Sequence, residues 1–263
     1  MNSAVEILHL KFCILLSEIL HVPGLWNLRA LKFVHKSRDR LYIDQLIILF
    51  SLKTIYSAEI KANFSKLLRN NSDCVFSGGT ERSIIRDLLT ANNVPYHDSL
   101  AEREKINELY KTRFEEALDR KDVEYQPLPG VLPLLEKCSK SSEVDLAIVT
   151  GNLLHCAELK LKSAGIDSEM FKKSHEGSFK LIGGFGDDDI QRPGLVSAAI
   201  SRFNLFHDME ISPDQFLVIG DTPKDIHCAH ANDVPGTNFY FRILSALFVI
   251  KKLILNIVHV TWT

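Results

Sequence analysis

The chain has no CxxC pair, although it carries five cysteines, Cys13, Cys74, Cys138, Cys156 and Cys228. An odd, scattered set excludes a paired disulfide framework and suits reduced thiols in a cytoplasmic setting. Charge of one sign is also missing. Thirty-one Lys and Arg stand against 33 Asp and Glu, a formal net charge of -2, which gives no electrostatic footprint for nucleic acid. No long basic run, RNA-binding aromatic motif or zinc-finger spacing is present. The first residues lack a basic n-region, and Glu18 interrupts their apolar stretch, so they do not read as a secretory signal. A GxSxG elbow, a P-loop and the Cys–Arg spacing of thiol phosphatases are missing too. Repeats and low-complexity tracts are absent.

The composition that remains is ordinary for a folded protein: 46% apolar and 24% charged residues over 263 positions. Residues 1–40 form an atypical N-terminal segment with helix-like spacing in "VEILHLKFCILLSEIL", broken at Pro23 and Gly24. Residues 41–56 hold the short apolar run Leu46 to Phe50, read as a possible first core strand, though so short a run also fits a buried helix. Residues 57–126 are polar and helical: "TERSIIRDLLTANNVP" sets Ile84, Ile85, Leu88 and Leu89 on one face, and a highly charged helix follows. After "YQPLPGV" the texture changes. Over residues 127–236 short apolar strands ("DLAIVT", "FLVIG") alternate with amphipathic helices, as in a parallel sheet covered on both faces. The fold class is therefore α/β, Rossmann-like. Ligands of such sheets sit beyond the carboxyl ends of the strands.

Both strand ends carry chemistry. The first reads Thr150-Gly151-Asn152. There Thr150 is expected to cap the next helix, whose free first-turn amides form a phosphate cradle. The second reads "GDTPKD". Thr222, Pro223 and Asp225 make a capping-box-like pattern, whereas Asp221 precedes the cap and is placed to meet a hard cation such as Mg²⁺, with Asp225 in support. Between them Arg192 stands before Pro193 at a helix start. A cation opposes the helix dipole there unless an anion compensates it. "HCAH" (His227, Cys228, His230) offers too few ligands for zinc and reads as ordinary helix.

In this order, "FSGGTERSIIRDLL", "PLPGVLPLLE", "VTGNLLHCAELKLKSAGI", "GGFGDDDIQRPGLVSAAI" and "VIGDTPKDI" resemble the haloacid dehalogenase superfamily, in its phosphoglycolate-phosphatase-like branch. The resemblance implies a Rossmann-like core with an inserted helical cap, and a Mg²⁺-dependent phosphatase acting on a small phosphate monoester. It assigns Thr150, with Asn152 and the amides around Gly151, to the phosphoryl group, Arg192 to its neutralisation, and Asp221 with Asp225 to the metal. The family's DxDGT motif, which supplies the attacking aspartate and the acid/base, is missing. With the first strand at Leu46 to Phe50, Ser51 and Lys53 would take those two places. Neither replaces the chemistry, since serine without an activating base is a poor nucleophile. The expectation is weak or no turnover, with a phosphate-binding pseudoenzyme as the alternative.

Residues 237–263 also depart from the family, and odd sequence at both ends fits an alternative transcript or an aberrant gene product. Ile243 to Val260 is long and apolar enough to span a membrane, but Lys251 and Lys252 in mid-span argue against that. The expected partner is a small phosphorylated ligand.

Overall fold

The runs "VDLAIV" and "FLVIG" are apolar almost throughout, and each forms a strand buried along nearly its whole length. A half-exposed strand would alternate with polar residues; continuous apolar sequence means that both faces are covered. The computed structural model describes residues 12–16, 20–21, 48, 51–52, 54–56, 79–121, 123, 125–127, 130–141, 144–175, 178–220 and 223–238. In chain order they form β1 (Phe12–Leu16), β2 (Leu20–His21), α1 (Glu81–Ala91), α2 (Leu100–Asp119), β3 (Gln126–Pro127), α3 (Val131–Ser139) and β4 (Val144–Val149). There follow α4 (Leu154–Ser163), β5 (Lys172–His175), β6 (Ser178–Leu181), β7 (Gly183–Gly184), α5 (Arg192–His207), β8 (Phe216–Gly220), α6 (Pro223–His230) and β9 (Gly236–Asn238).

Five strands make one parallel sheet in the order β7-β4-β1-β8-β9. Side chains of a strand alternate between faces, and β4 and β8 divide accordingly. Leu146, Ile148, Leu217 and Ile219 pack with Leu134 and Leu135 of α3 and Leu161 of α4. Ala147, Val149, Phe216 and Val218 meet Leu195, Val196, Ala199 and Phe203 of α5, with Cys228 and Ala229 of α6. Helices on both sides of a parallel sheet make this a Rossmann-like α/β core. Gly165 ends α4 in the left-handed region at φ 68°, letting the Ile166 amide return to the Leu161 carbonyl at 2.9 Å.

A third cluster lies apart from the sheet. Ile84, Ile85, Leu88 and Leu89 of α1 pack with Ile106, Tyr110, Phe114 and Ala117 of α2. Thr80 caps α1 by accepting the Ser83 amide at 3.0 Å, and Ser99 caps α2 through the Glu102 amide at 3.3 Å. The cluster also takes in Leu153 and Cys156 from the start of α4, which docks these helices onto the core.

Two expectations change. The described residues of 41–56 form no strand: Ile48, Ser51, Leu52, Thr54 and Ile55 lie in helix, Tyr56 lies in a turn, and Ile48 and Leu52 are buried against α1 and α2. The core's central strand is β1 instead, paired in parallel with β4 on one side and β8 on the other. An apolar run of five residues suits either structure, and the partner that buries it decides which forms. Among the described residues no helix is long and apolar enough to cross a membrane; Ile243 to Val260 lie outside the described residues.

Candidate functional site

Thr150 follows β4 directly and is buried. It does not cap α4, whose N-cap is Leu153 with no side-chain bond. Its Oγ1 instead accepts from the Asn152 amide at 3.2 Å and from Asn152 Nδ2 at 2.5 Å. The expected amide cradle is partly filled by the protein itself. Glu81 Oε2 accepts the Leu153 amide at 2.6 Å, and Asp187 Oδ2 accepts the Leu154 amide at 2.6 Å. A helix N-terminus attracts any anion, and here two carboxylates of the chain reach it first. Among the described residues the Gly151 amide has no acceptor.

The two polar loops are held in register by close backbone packing. Gly186 donates to the Asn152 carbonyl at 2.7 Å and Glu81 to the Gly151 carbonyl at 2.8 Å. A Cβ on Gly151 would fall inside the Gly79 carbonyl oxygen, so only glycine lets the segment before α1 lie on this turn. The Thr80 hydroxyl donates to the Ile190 carbonyl at 2.7 Å, two residues before Arg192. The acidic run Asp187-Asp188-Asp189 is explained as scaffold. Asp188 accepts the Phe185 amide at 2.8 Å and both Arg202 guanidinium nitrogens, and Asp189 accepts the Gln191 amide at 2.7 Å.

Arg192 opens α5, and its guanidinium turns to Asp225 of α6. Nη2 lies 2.7 Å and Nε 3.0 Å from Asp225 Oδ1, with the side chains 5% and 0% exposed. The Asp225 carboxylate rests against Gly220 at the end of β8, where a Cβ would collide with it. This answers the sequence puzzle of a cation at a helix start: a buried carboxylate compensates it. Thr150 and the Arg192–Asp225 pair therefore share the carboxyl end of the sheet. Thr150 follows β4, and Asp225 lies against the last residue of β8, with β1 between the two strands.

The remaining candidates are not brought to this end by the described residues. Ser51 lies in helix and is fully buried. Lys53 and Asp221 lie outside the described residues, although Asp221 directly follows Gly220 in sequence. No group of three His, Cys, Asp or Glu suited to a metal ion is present among the described residues, and His227, Cys228 and His230 are plain α6 residues. Asp225, the one described carboxylate at the sheet end that was assigned to Mg²⁺, gives one oxygen to the Arg192 guanidinium, and by itself it makes no cation site among the described residues.

Sequence reading missed Lys160 and Glu81. Lys160, on α4, is 4% exposed; its ammonium donates to Asn152 Oδ1 and stands 5.4 Å and 5.5 Å from the ring centres of Phe114 and Tyr125. The available signal was a lysine inside the stripe Cys156, Ala157, Lys160, Leu161. Glu81 is buried, accepting the Tyr110 hydroxyl at 2.7 Å as well as the Leu153 amide. An acid in a first helical turn reads as a dipole partner, which hid its long-range contacts. A cavity of about 340 Å³ opens nearby, lined among others by Glu104, Lys111, Leu153, His155 and Asp187, but neither Thr150 nor Arg192 lines it.

A family model described as haloacid dehalogenase-like hydrolase matches residues 80–230, more than half of the chain. The chain belongs to the haloacid dehalogenase-like hydrolases. Among solved structures, this haloacid dehalogenase-like hydrolase is similar to a hydrolase from Pseudomonas syringae, at 16% identity and TM-score 0.52, over 87% of this chain and 84% of that one. A predicted phosphoglycolate phosphatase from Haemophilus somnus 129PT is similar at 18% identity and TM-score 0.48, over 88% of this chain and 86% of that one. CbbY from Rhodobacter sphaeroides, in complex with phosphate, matches at 11% identity and TM-score 0.46, over 88% of each chain. No curated relative matches the sequence.

Proposed function

We propose that this chain binds the phosphoryl group of a small phosphate monoester at the carboxyl end of its sheet and turns it over slowly or not at all. The observation that supports the binding half is a buried hydroxyl and a buried guanidinium near the same end of the sheet. Thr150 supplies a donor after β4, the Gly151 amide a second, and Arg192 a guanidinium that would have to be shared between Asp225 and the anion. Donors fixed in a dry site need no reorganisation when an anion arrives.

The second half rests on sequence around the central strand. A nucleophile for a phosphoryl group at this position has to come from the end of β1, between β4 and β8. Residues 12–21 read FCILLSEILH and contain no aspartate. Ser17 and Glu18 are the groups that follow the strand, and an unactivated serine attacks poorly at neutral pH. With Asp225 spent on Arg192, Mg²⁺ is left with Asp221 as its family carboxylate, too little charge to recruit it strongly. The helices over 57–126 serve in this reading as the cap that closes over the ligand, and the setting is cytoplasmic.

The test pairs inorganic phosphate titration by calorimetry with p-nitrophenyl phosphate turnover in Mg²⁺. Expected are phosphate binding that persists in EDTA, is lost in Thr150→Val, and goes with no turnover above background. Turnover abolished by Asp221→Ala would defeat the inactive reading; a protein blind to phosphate would defeat the binding one.

A further inference from the structure

We infer that Lys160 is a positioning residue that sets the direction of the Thr150 hydroxyl proton by way of Asn152; the inference rests on the phosphate-binding reading of the same site. Lysine has three donors and no acceptor. Its contact with the Asn152 side chain therefore has to fall on the amide oxygen, as it does at Oδ1. That choice leaves Nδ2 pointing the other way, where it donates to Thr150 Oγ1 at 2.5 Å. The Asn152 backbone amide donates to the same oxygen at 3.2 Å. A hydroxyl has two lone pairs and one proton. With both lone pairs taken from the Asn152 side, the Thr150 proton has to leave in the third direction, away from its own turn.

Without the ammonium, nothing in this chain of bonds fixes which end of the Asn152 amide faces Thr150. Flipped, Oδ1 would accept the Thr150 proton, and the hydroxyl would be lost as a donor to an anion. Lys160 is held for this task by burial and by the Phe114 and Tyr125 faces, both within cation–π reach. Phe114 belongs to α2, so the helical layer that covers the core also supports the lysine that orients its hydroxyl.

The experiment uses the full chain labelled with ¹⁵N-asparagine and reads the Asn152 side-chain amide by NMR, assigned through Asn152→Asp. In the parent these amide protons should be shifted downfield and exchange slowly; in Lys160→Met they should lose both properties. In the same samples, inorganic phosphate should bind about tenfold more weakly to Lys160→Met, the size of one charge-assisted hydrogen bond. Asn152→Asp, which keeps Lys160 paired but removes the Nδ2 donor, should weaken phosphate as well. An unchanged Asn152 resonance in Lys160→Met, or parent-like phosphate binding in Asn152→Asp, overturns the inference even where Thr150→Val abolishes binding. A parent that ignores phosphate overturns the binding reading instead, while the amide resonance still decides between a fixed and a free Asn152.

Discussion

Arg192→Met should destabilise the protein far more than loss of an exposed ion pair would. In the parent, Asp225 is fully enclosed and Arg192 is 5% exposed, with two guanidinium nitrogens within 3.0 Å of one carboxylate oxygen. Removing the cation takes the guanidinium from a fully enclosed carboxylate, at a cost of about 3–5 kcal/mol. For a chain of this size about 1 kcal/mol moves the melting temperature by roughly 2–4 °C, so the expected drop is about 10 °C. Urea denaturation of the parent, Arg192→Met, Asp225→Asn and the double variant completes a cycle. The double variant leaves neither charge of this pair and should be more stable than Arg192→Met alone. Its phosphate affinity should stay low, because the cation is still missing. Arg192→Met unfolding within about 1 kcal/mol of the parent, below the usual cost of breaking a buried ion pair, would refute the reasoning.

Three further outcomes follow from local geometry. Gly220→Ala places a methyl against the Asp225 carboxylate and Gly151→Ala one against the Gly79 carbonyl; each should lower stability by about 1–3 kcal/mol in denaturant titration, as overpacking does. Burial pushes the Cys138 and Cys228 thiols up to about 11, so mass-spectrometric mapping at neutral pH should find both slow to alkylate in the folded protein and fast in urea. Partial burial raises the Asp98 carboxyl, but hydrogen bonds from Arg82 and Tyr96 and the charges of Arg82 and Arg103 outweigh it and hold the group below its ordinary value. A depressed carboxylate stabilises above its unfolded pKa and loses that contribution as pH falls through its folded one. The stability gap between parent and Asp98→Asn should thus be constant above about pH 5 and close on further acidification; a gap that widens in acid refutes the assignment.

What could be read from the amino acids depended on whether the deciding interaction was local. β4 and β8 were legible because their apolar runs are bounded by turn residues and flanked by amphipathic helices. α1 showed its face through Ile84, Ile85, Leu88 and Leu89 and its start through Thr80. β1 was not legible: "FCILL" sits inside a stretch with helical spacing, and only pairing with strands far along the chain makes it extended. "LIILF" failed in the opposite sense, since its described residue Ile48 is helical and buried on α1 and α2. At the site, Thr150, Asn152 and Arg192 stood out by motif, whereas the occupation of the α4 amides by Glu81 and Asp187 joins residues 72 and 33 positions apart. No window along the sequence contains that information.

The order β7-β4-β1-β8-β9 imposes a schedule on biosynthesis. The middle strand is translated first, yet both neighbours come much later, and 200 residues separate Leu16 from Phe216. At about 5–20 residues per second, the ribosome needs roughly 10–40 s to deliver the second partner. During that interval the segment has one or both backbone edges open, the condition in which strands join the wrong chain. Closing such distant pairings also makes folding slow in the test tube. The centre of this sheet is its oldest part in synthesis, and it waits longest for its neighbours.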